Sequence, residues 1–260
     1  MTDFDENYYK MVSEGGTSDY RVPFIWENQK DSALKVAHQL NGLFDLQNKK
    51  ILDIGCAKGF LVKALLSMGV DAYGCDISEY AISHCDPEVK DRVKVCDARN
   101  LLDAYPPNSF DVIYSSATLE HIPLDQLSPV VLNMTVCSKE WVYLDVPIGL
   151  GLKNEPDNAI DKTHRTFMNP SWWIKLFFQY EYLIDINRSR AFDDARFDPF
   201  GNSKVYHSVE LVFRKERLKG DGRKLMNSDL EDLAKVFKVM SVMDQQSVIE
   251  SIEKKLEEKV

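Results

Sequence analysis

The residues of this chain best placed to do chemistry stand around two glycines. Asp53-Ile54-Gly55-Cys56-Ala57-Lys58-Gly59 closes one short apolar run and opens another. A strand that stops at a glycine-containing turn and hands over to a helix gathers free backbone N–H groups and an unobstructed backbone, so ligands collect there. The three-glycine dinucleotide fingerprint is incomplete, because Ala57 stands where the middle glycine is expected. Ala57 is tolerable if its dihedrals stay in ordinary space. Asp53 precedes the turn, and Asp76 ends the following run in Gly74-Cys75-Asp76-Ile77-Ser78. A carboxylate in the second position can accept two hydrogen bonds from ribose hydroxyls. On spacing alone a nicotinamide cofactor competes, since it would use the same strand, turn and acid. Of five histidines, two have telling neighbours: His121 in Leu119-Glu120-His121-Ile122-Pro123, and His164 in Asp161-Lys162-Thr163-His164-Arg165. Both are expected past the carboxyl ends of strands, the edge where open α/β sheets bind ligands.

The elements that would position these groups follow from hydrophobic periodicity. Over 26–44, Ala33, Leu34, Val36, Ala37, Leu40, Leu43 and Phe44 recur at helical spacing, giving an amphipathic helix that leads into the domain. Strands are expected at 51–54, 72–75, 93–96, 110–114 and 141–146, with helices at 60–68 and 79–85 between the early ones. Short apolar strands separated by helices need cover on both faces. The fold class is therefore α/β, a Rossmann-like, doubly wound, mostly parallel sheet. The runs 182–186 and 205–213 also read as strands but are joined by a polar stretch rather than a helix, which brings the sheet to seven strands with an antiparallel edge. Beyond Gly220-Asp221-Gly222 comes a capping box at Ser228-Asp229-Leu230-Glu231, then a second helical stripe over 245–258. The organisation expected is an N-terminal lid and leading helix at 1–47, the central domain at 48–218, and a C-terminal helical hairpin at 219–260. That hairpin would either cap the monomer or form a homodimer contact.

Bulk properties narrow the function classes. The formal net charge of −9 argues against a broad electrostatic footprint for nucleic acid or an anionic membrane. Cys56, Cys75, Cys85, Cys96 and Cys137 show no paired short spacing that would hold zinc and read as reduced, mostly buried thiols. No convincing metal cluster stands out, so chemistry independent of divalent ions is expected. No apolar run approaches bilayer length and the N-terminus lacks a leader pattern, so a cytoplasmic protein is expected.

From Lys50 to Val146 the sequence resembles the class I methyltransferases, in particular the group acting on small molecules and glycans, on the strength of Asp53, the glycine turn and the acids at following strand ends. The resemblance implies S-adenosylmethionine as cofactor. Asp53, Gly55, Cys56 and Gly59 would line its methionine moiety, with Ala57 and Lys58 of the same turn also binding the cofactor; Asp76 would hold the ribose, and Ile77 would pack on adenine. Asp97 and Ala98 match the position that accepts from the adenine amino group and reaches a ring nitrogen. Phe110-Asp111-Val112-Ile113 and the segment from Ser115 to His121 match the fourth strand and the floor under the methyl donor. Asp161 to His164 with Trp172-Trp173 resembles a segment after the fifth strand whose histidine faces the acceptor. On that footing His164 is the leading general base, His121 a second, and Asp161 an orienter. Arg165 would anchor an anionic acceptor group, with Glu120 and Trp172 as further acceptor contacts. Tyr8, Tyr9, Gly15, Gly16, Tyr20 and Trp26 could form a lid that excludes water.

The expected activity is methyl transfer to a small-molecule acceptor, at a hydroxyl of a sugar-like or natural-product substrate. A methyltransferase acting on protein or nucleic acid is the competing enzyme class, but no Asn-Pro-Pro-Tyr-like motif is present. A cofactor-binding subunit without catalysis is the competing class outside enzymes.

Overall fold

The computed structural model describes residues 4–18, 20–147, 163–168, 170–185, 187–189 and 208–215. Alternating side chains on short apolar strands build the sheet. Strands β1 (Lys50–Ile54), β2 (Asp71–Asp76), β3 (Val93–Val95), β4 (Phe110–Ser116), β5 (Ser138–Pro147), β6 (Tyr182–Ile184) and β7 (Ser208–Lys215) lie in the order β3-β2-β1-β4-β5-β7-β6. Pairing from β3 through β5 is parallel, and β7 runs antiparallel to both its neighbours. The expected seven-stranded Rossmann-like sheet is present. Its one antiparallel strand lies a place in from the edge, with β6 outermost.

Successive residues of a strand face opposite ways, and here both faces are buried. Leu52, Ile54, Ile113, Val142, Leu144, Leu211 and Phe213 point to one side, where they meet α4 (Leu101–Ala104), α5 (Leu127–Cys137) and α6 (Pro170–Phe178). Ile51, Ala72, Val112, Tyr114, Trp141, Tyr143 and Val212 point to the other, against α1 (Trp26–Phe44) and α2 (Phe60–Ser67). The stripe that identified α1 in the sequence is the face it buries, with Ala33, Ala37, Leu40 and Phe44 all enclosed. The short helix α3 (Glu79–Ser83) is capped by Ser78, whose hydroxyl accepts from the Ala81 N–H at 3.0 Å.

No helix among the described residues is long and apolar enough to cross a membrane. The hairpin expected over 219–260, with its homodimer contact, lies outside the described residues, as do Asp161 and the start of the last expected strand. Leu40 is fully enclosed between α1 and the sheet. Leu40→Ala is expected to lose about 2 to 5 kcal/mol of stability through lost transfer energy and the cavity left behind. Urea unfolding would read this as a lower midpoint with an unchanged slope.

Candidate functional site

The carboxyl ends of β1, β2, β3 and β4 converge on a cavity of about 310 Å³. Its floor is Ile54, Gly55, Ala57 and Thr118, and one wall carries Asp76 and Ile77. Cys96, Asp97, Ala98, Arg99 and Gln126 close one side, and Phe4, Tyr8, Tyr9, Tyr20 and His121 close another.

The turn after β1 departs from expectation in two ways. Ala57 takes φ 47°, the left-handed region, not ordinary space for a residue with a Cβ. It is held there by its own N–H, which donates to Asp76 Oδ2 at 2.8 Å. Most N–H groups of the turn are also engaged. Those of Gly55 and Cys56 both donate to the Cys75 carbonyl, and that of Gly59 donates to the Cys56 carbonyl. The turn thus offers close backbone approach rather than a nest of donors. At Gly55, φ 81°, an added Cβ would fall 1.9 Å from Thr118 Oγ1, so glycine is obligatory for the floor to close. Gly59, φ 77°, starts α2 at a point where a Cβ would crowd Val89.

Asp76 is buried and uses both oxygens to organise backbone: Oδ1 accepts from the Ser78 N–H and Oδ2 from Ala57, each at 2.8 Å. Two carboxylate oxygens carry about four acceptor sites, so capacity remains for hydroxyl donors from the cavity. Burial pushes its carboxyl up, against the opposing pull of the Ser78, Ala57 and Ile77 N–H groups. Asp53 sits behind the turn, 5 % exposed, and does not line the cavity. Burial, and then the charge of Asp76, push its carboxyl up to about 8. Asp97 takes part in a bracket: the Arg99 guanidinium lies against its carboxylate, and Arg99 Nη1 reaches Gln126 Oε1 at 2.5 Å. Partial burial would raise the Asp97 carboxyl, but the hydrogen bonds and charge of Arg99 hold it below its ordinary value.

Other expected cofactor residues are structural neighbours of the cavity rather than its lining. The Cys56 thiol is buried, packed where a side chain at residue 74 would go. Lys58 turns outward, donating to the Phe24 carbonyl at 3.1 Å with its ammonium over the rings of Tyr9, Phe24 and Tyr80. Ser115 is buried beneath the floor. Of the expected lid, Tyr8, Tyr9 and Tyr20 do line the cavity, whereas Trp26 packs beside Phe60 under the Lys63 ammonium. Phe4 joins them, its carbonyl accepting from Ser78 Oγ at 2.5 Å. Phe4, Arg99, Gln126 and Thr118 were not singled out in the sequence. Arg99, two residues from an acid in a turn, carried the one local signal that could have found any of them.

On the far side, two loops are sewn together. The N–H groups of Arg165 and Thr166 both donate to the Glu120 carbonyl, at 2.7 and 2.9 Å, and Thr166 Oγ1 donates to the Ile122 carbonyl at 2.7 Å. This brings His164 edge-on to His121, ring centroids 4.8 Å apart. His121 lines the cavity, with its Nδ1 2.8 Å from Thr163 Oγ1. His164 stands beside it without lining the cavity, Glu120 is buried, Arg165 is exposed, and Trp172 packs against the core.

Residues 52–137 match the family model for a methyltransferase domain. The chain is 34% identical over 106 residues to the ubiquinone biosynthesis O-methyltransferase of Methylococcus capsulatus, covering 36% of this chain and 44% of that one. It is 30% identical over 126 residues to the mitochondrial enzyme of the same description from Mus musculus, covering 45% and 32%. The matches thus span less than half the length of these two relatives. The solved structure of magnesium protoporphyrin IX methyltransferase from Synechocystis with bound SAM superposes with a TM-score of 0.52. It shares 15% identity, with 83% of this chain and 98% of that one covered, a likeness of fold.

The raised carboxyl of Asp53 has a thermodynamic signature. Its ordinary value is 3.8 and its folded value about 8, so between these the folded chain holds a proton that the unfolded chain has lost. Stability therefore declines as pH rises through that window. Asp53→Asn carries no such charge, so its ligand-free melting temperature should exceed that of the parent most at pH 9 and converge toward it near pH 5. A thermal-shift series over pH tests this; a constant offset would contradict the burial of that charge.

Proposed function

We propose that this chain, which carries a class I methyltransferase domain, moves a methyl group from S-adenosylmethionine to a hydroxyl of a small, sugar-like or natural-product acceptor. The observation that carries the choice of cofactor is the state of the turn after β1. A dinucleotide lays its pyrophosphate on free N–H groups at this place. Here the N–H groups of Gly55, Cys56, Ala57 and Gly59 are already used within the fold. Such a turn suits a cofactor that approaches closely and brings no phosphate. Asp76 presents spare acceptor capacity for the ribose hydroxyls, and Ile77 and Ala98 flank the place of the base, with the Asp97–Arg99 bracket at its polar edge. The two curated relatives described above as O-methyltransferases support oxygen as the acceptor atom.

When bound, S-adenosylmethionine supplies a methyl group already activated on a sulfonium, so the protein's task is approach geometry and removal of the acceptor's proton. Tyr8, Tyr9, Tyr20 and Phe4 line the cavity, and their rings form the wall proposed to limit water around the cofactor. The imidazole pair at the acceptor side provides the proton acceptor, with His164 as the base and His121 between it and the cavity. Arg165, exposed and next to His164 in the chain, is the proposed anchor for an anionic group on the acceptor.

Incubation of the full chain with isotopically labelled cofactor and a panel of hydroxylated acceptors tests the activity. Cofactor binding without label transfer to any acceptor would favour a binding subunit, and no cofactor binding would overturn the reading altogether. His164→Gln is expected to lower kcat about 100-fold while leaving the dissociation constant of the cofactor unchanged. Equal loss of both would remove His164 from the base role.

A further inference from the structure

We infer that Glu120, His121 and His164 form a binding site for one divalent transition-metal ion, a property that the expectation from sequence had set aside. The donor atoms of the three side chains lie within 4.8 Å of one another. Two imidazoles and one carboxylate make a set of borderline donors that suits zinc or ferrous iron rather than magnesium or calcium, which favour oxygen ligands throughout. Around an ion with bonds near 2.1 Å, neighbouring donors stand roughly 3 to 3.5 Å apart. From the 4.8 Å limit, the widest pair of donors must therefore close by at most roughly 1.3 to 1.8 Å, within reach of side-chain rotations. The edge-to-face rings, 73° between planes, allow nitrogens of both imidazoles to converge on one point, which parallel stacking would prevent.

The surroundings hold the ligands as metal sites require. Thr163 Oγ1 sits 2.8 Å from His121 Nδ1. When Nδ1 carries the proton and donates to that hydroxyl, the Nε2 lone pair is left for an ion, the second-sphere arrangement that fixes tautomer and ring orientation. The backbone around the ligands is fixed as well, because the Glu120 carbonyl accepts from both Arg165 and Thr166, which directly follow His164. Three protein ligands leave coordination positions open, and His121 lines the cavity, so the open side meets the place where an acceptor would enter. An ion there would bind an acceptor hydroxyl and draw off its proton to solvent, the oxygen keeping its electron pair. In the loaded protein the ion takes over the task that His164 performs in the metal-free protein. That catalytic consequence rests on the methyl-transfer reading; the binding itself does not.

The test is titration of the chelator-treated full chain with Co²⁺ in the absence of any cofactor, read by the visible absorption of the bound ion. One equivalent is expected to bind, with affinity at least about tenfold weaker in Glu120→Gln, His121→Ala and His164→Ala, and unchanged in His38→Ala, an exposed histidine on α1. Far-ultraviolet circular dichroism and melting temperature identify any variant that fails to fold, and Glu120→Gln, nearly isosteric, keeps the comparison decisive. Absence of Co²⁺ binding would overturn the inference. So would binding that all three variants retain, which would place the ion elsewhere in the chain. Normal Co²⁺ binding without methyl transfer would strike the proposed activity alone.

Discussion

The Asp76 carboxylate is the interaction on which the site depends. With one oxygen it fixes Ala57 in a left-handed conformation, and with the other it holds the Ser78 N–H at the start of α3. The turn after β1 and the turn after β2 are thus one unit. A residue with a Cβ at φ 47° is unfavourable by itself, and a charge-assisted hydrogen bond in a buried place is strong enough to hold it. Removing that carboxylate would free both turns together, so its role in shaping the cavity precedes any role in contacting what fills it.

A second constraint comes from crowding of acids. Asp53 and Asp76 approach the same turn from adjacent strands, and the charge of Asp76 makes that of Asp53 less welcome. Asp76 resolves this with backbone donors, whereas Asp53, deeper and without such donors among the described residues, resolves it by holding its proton. Asp97 takes a third route and borrows the Arg99 guanidinium. Three carboxylates that look equivalent along the chain therefore carry three different electrostatic states.

This difference marks how far the sequence could be read. Strands were legible because pairs such as Ile51/Leu52, Val112/Ile113 and Leu211/Val212 place apolar residues on both faces, a pattern that survives without knowledge of neighbours. Asp53, Asp76 and Asp97 could be placed at strand ends for the same reason. Their partners could not, because the Ala57 N–H and Arg99 guanidinium reach them only after the turns fold. The pairing of His121 with His164 was hidden for a stronger reason: it depends on hydrogen bonds from Arg165 and Thr166 to Glu120, between segments far apart in the chain. Spacing rules for metal ligands look for neighbours in sequence and pass over a set assembled this way.

The position of β7 between β5 and β6 bears on how the chain reaches this state during synthesis. Residues Trp141–Pro147 of β5 gain their outer partner only when Ser208–Arg214 arrives, after β6 has already been made. Until then the apolar edge of β5 is an unpaired template, open to pairing with another copy emerging nearby. β6 meanwhile has no strand to join. Completion of the sheet is thus a late, long-range closure, and crowding by sister chains is the hazard to which this ordering exposes the molecule.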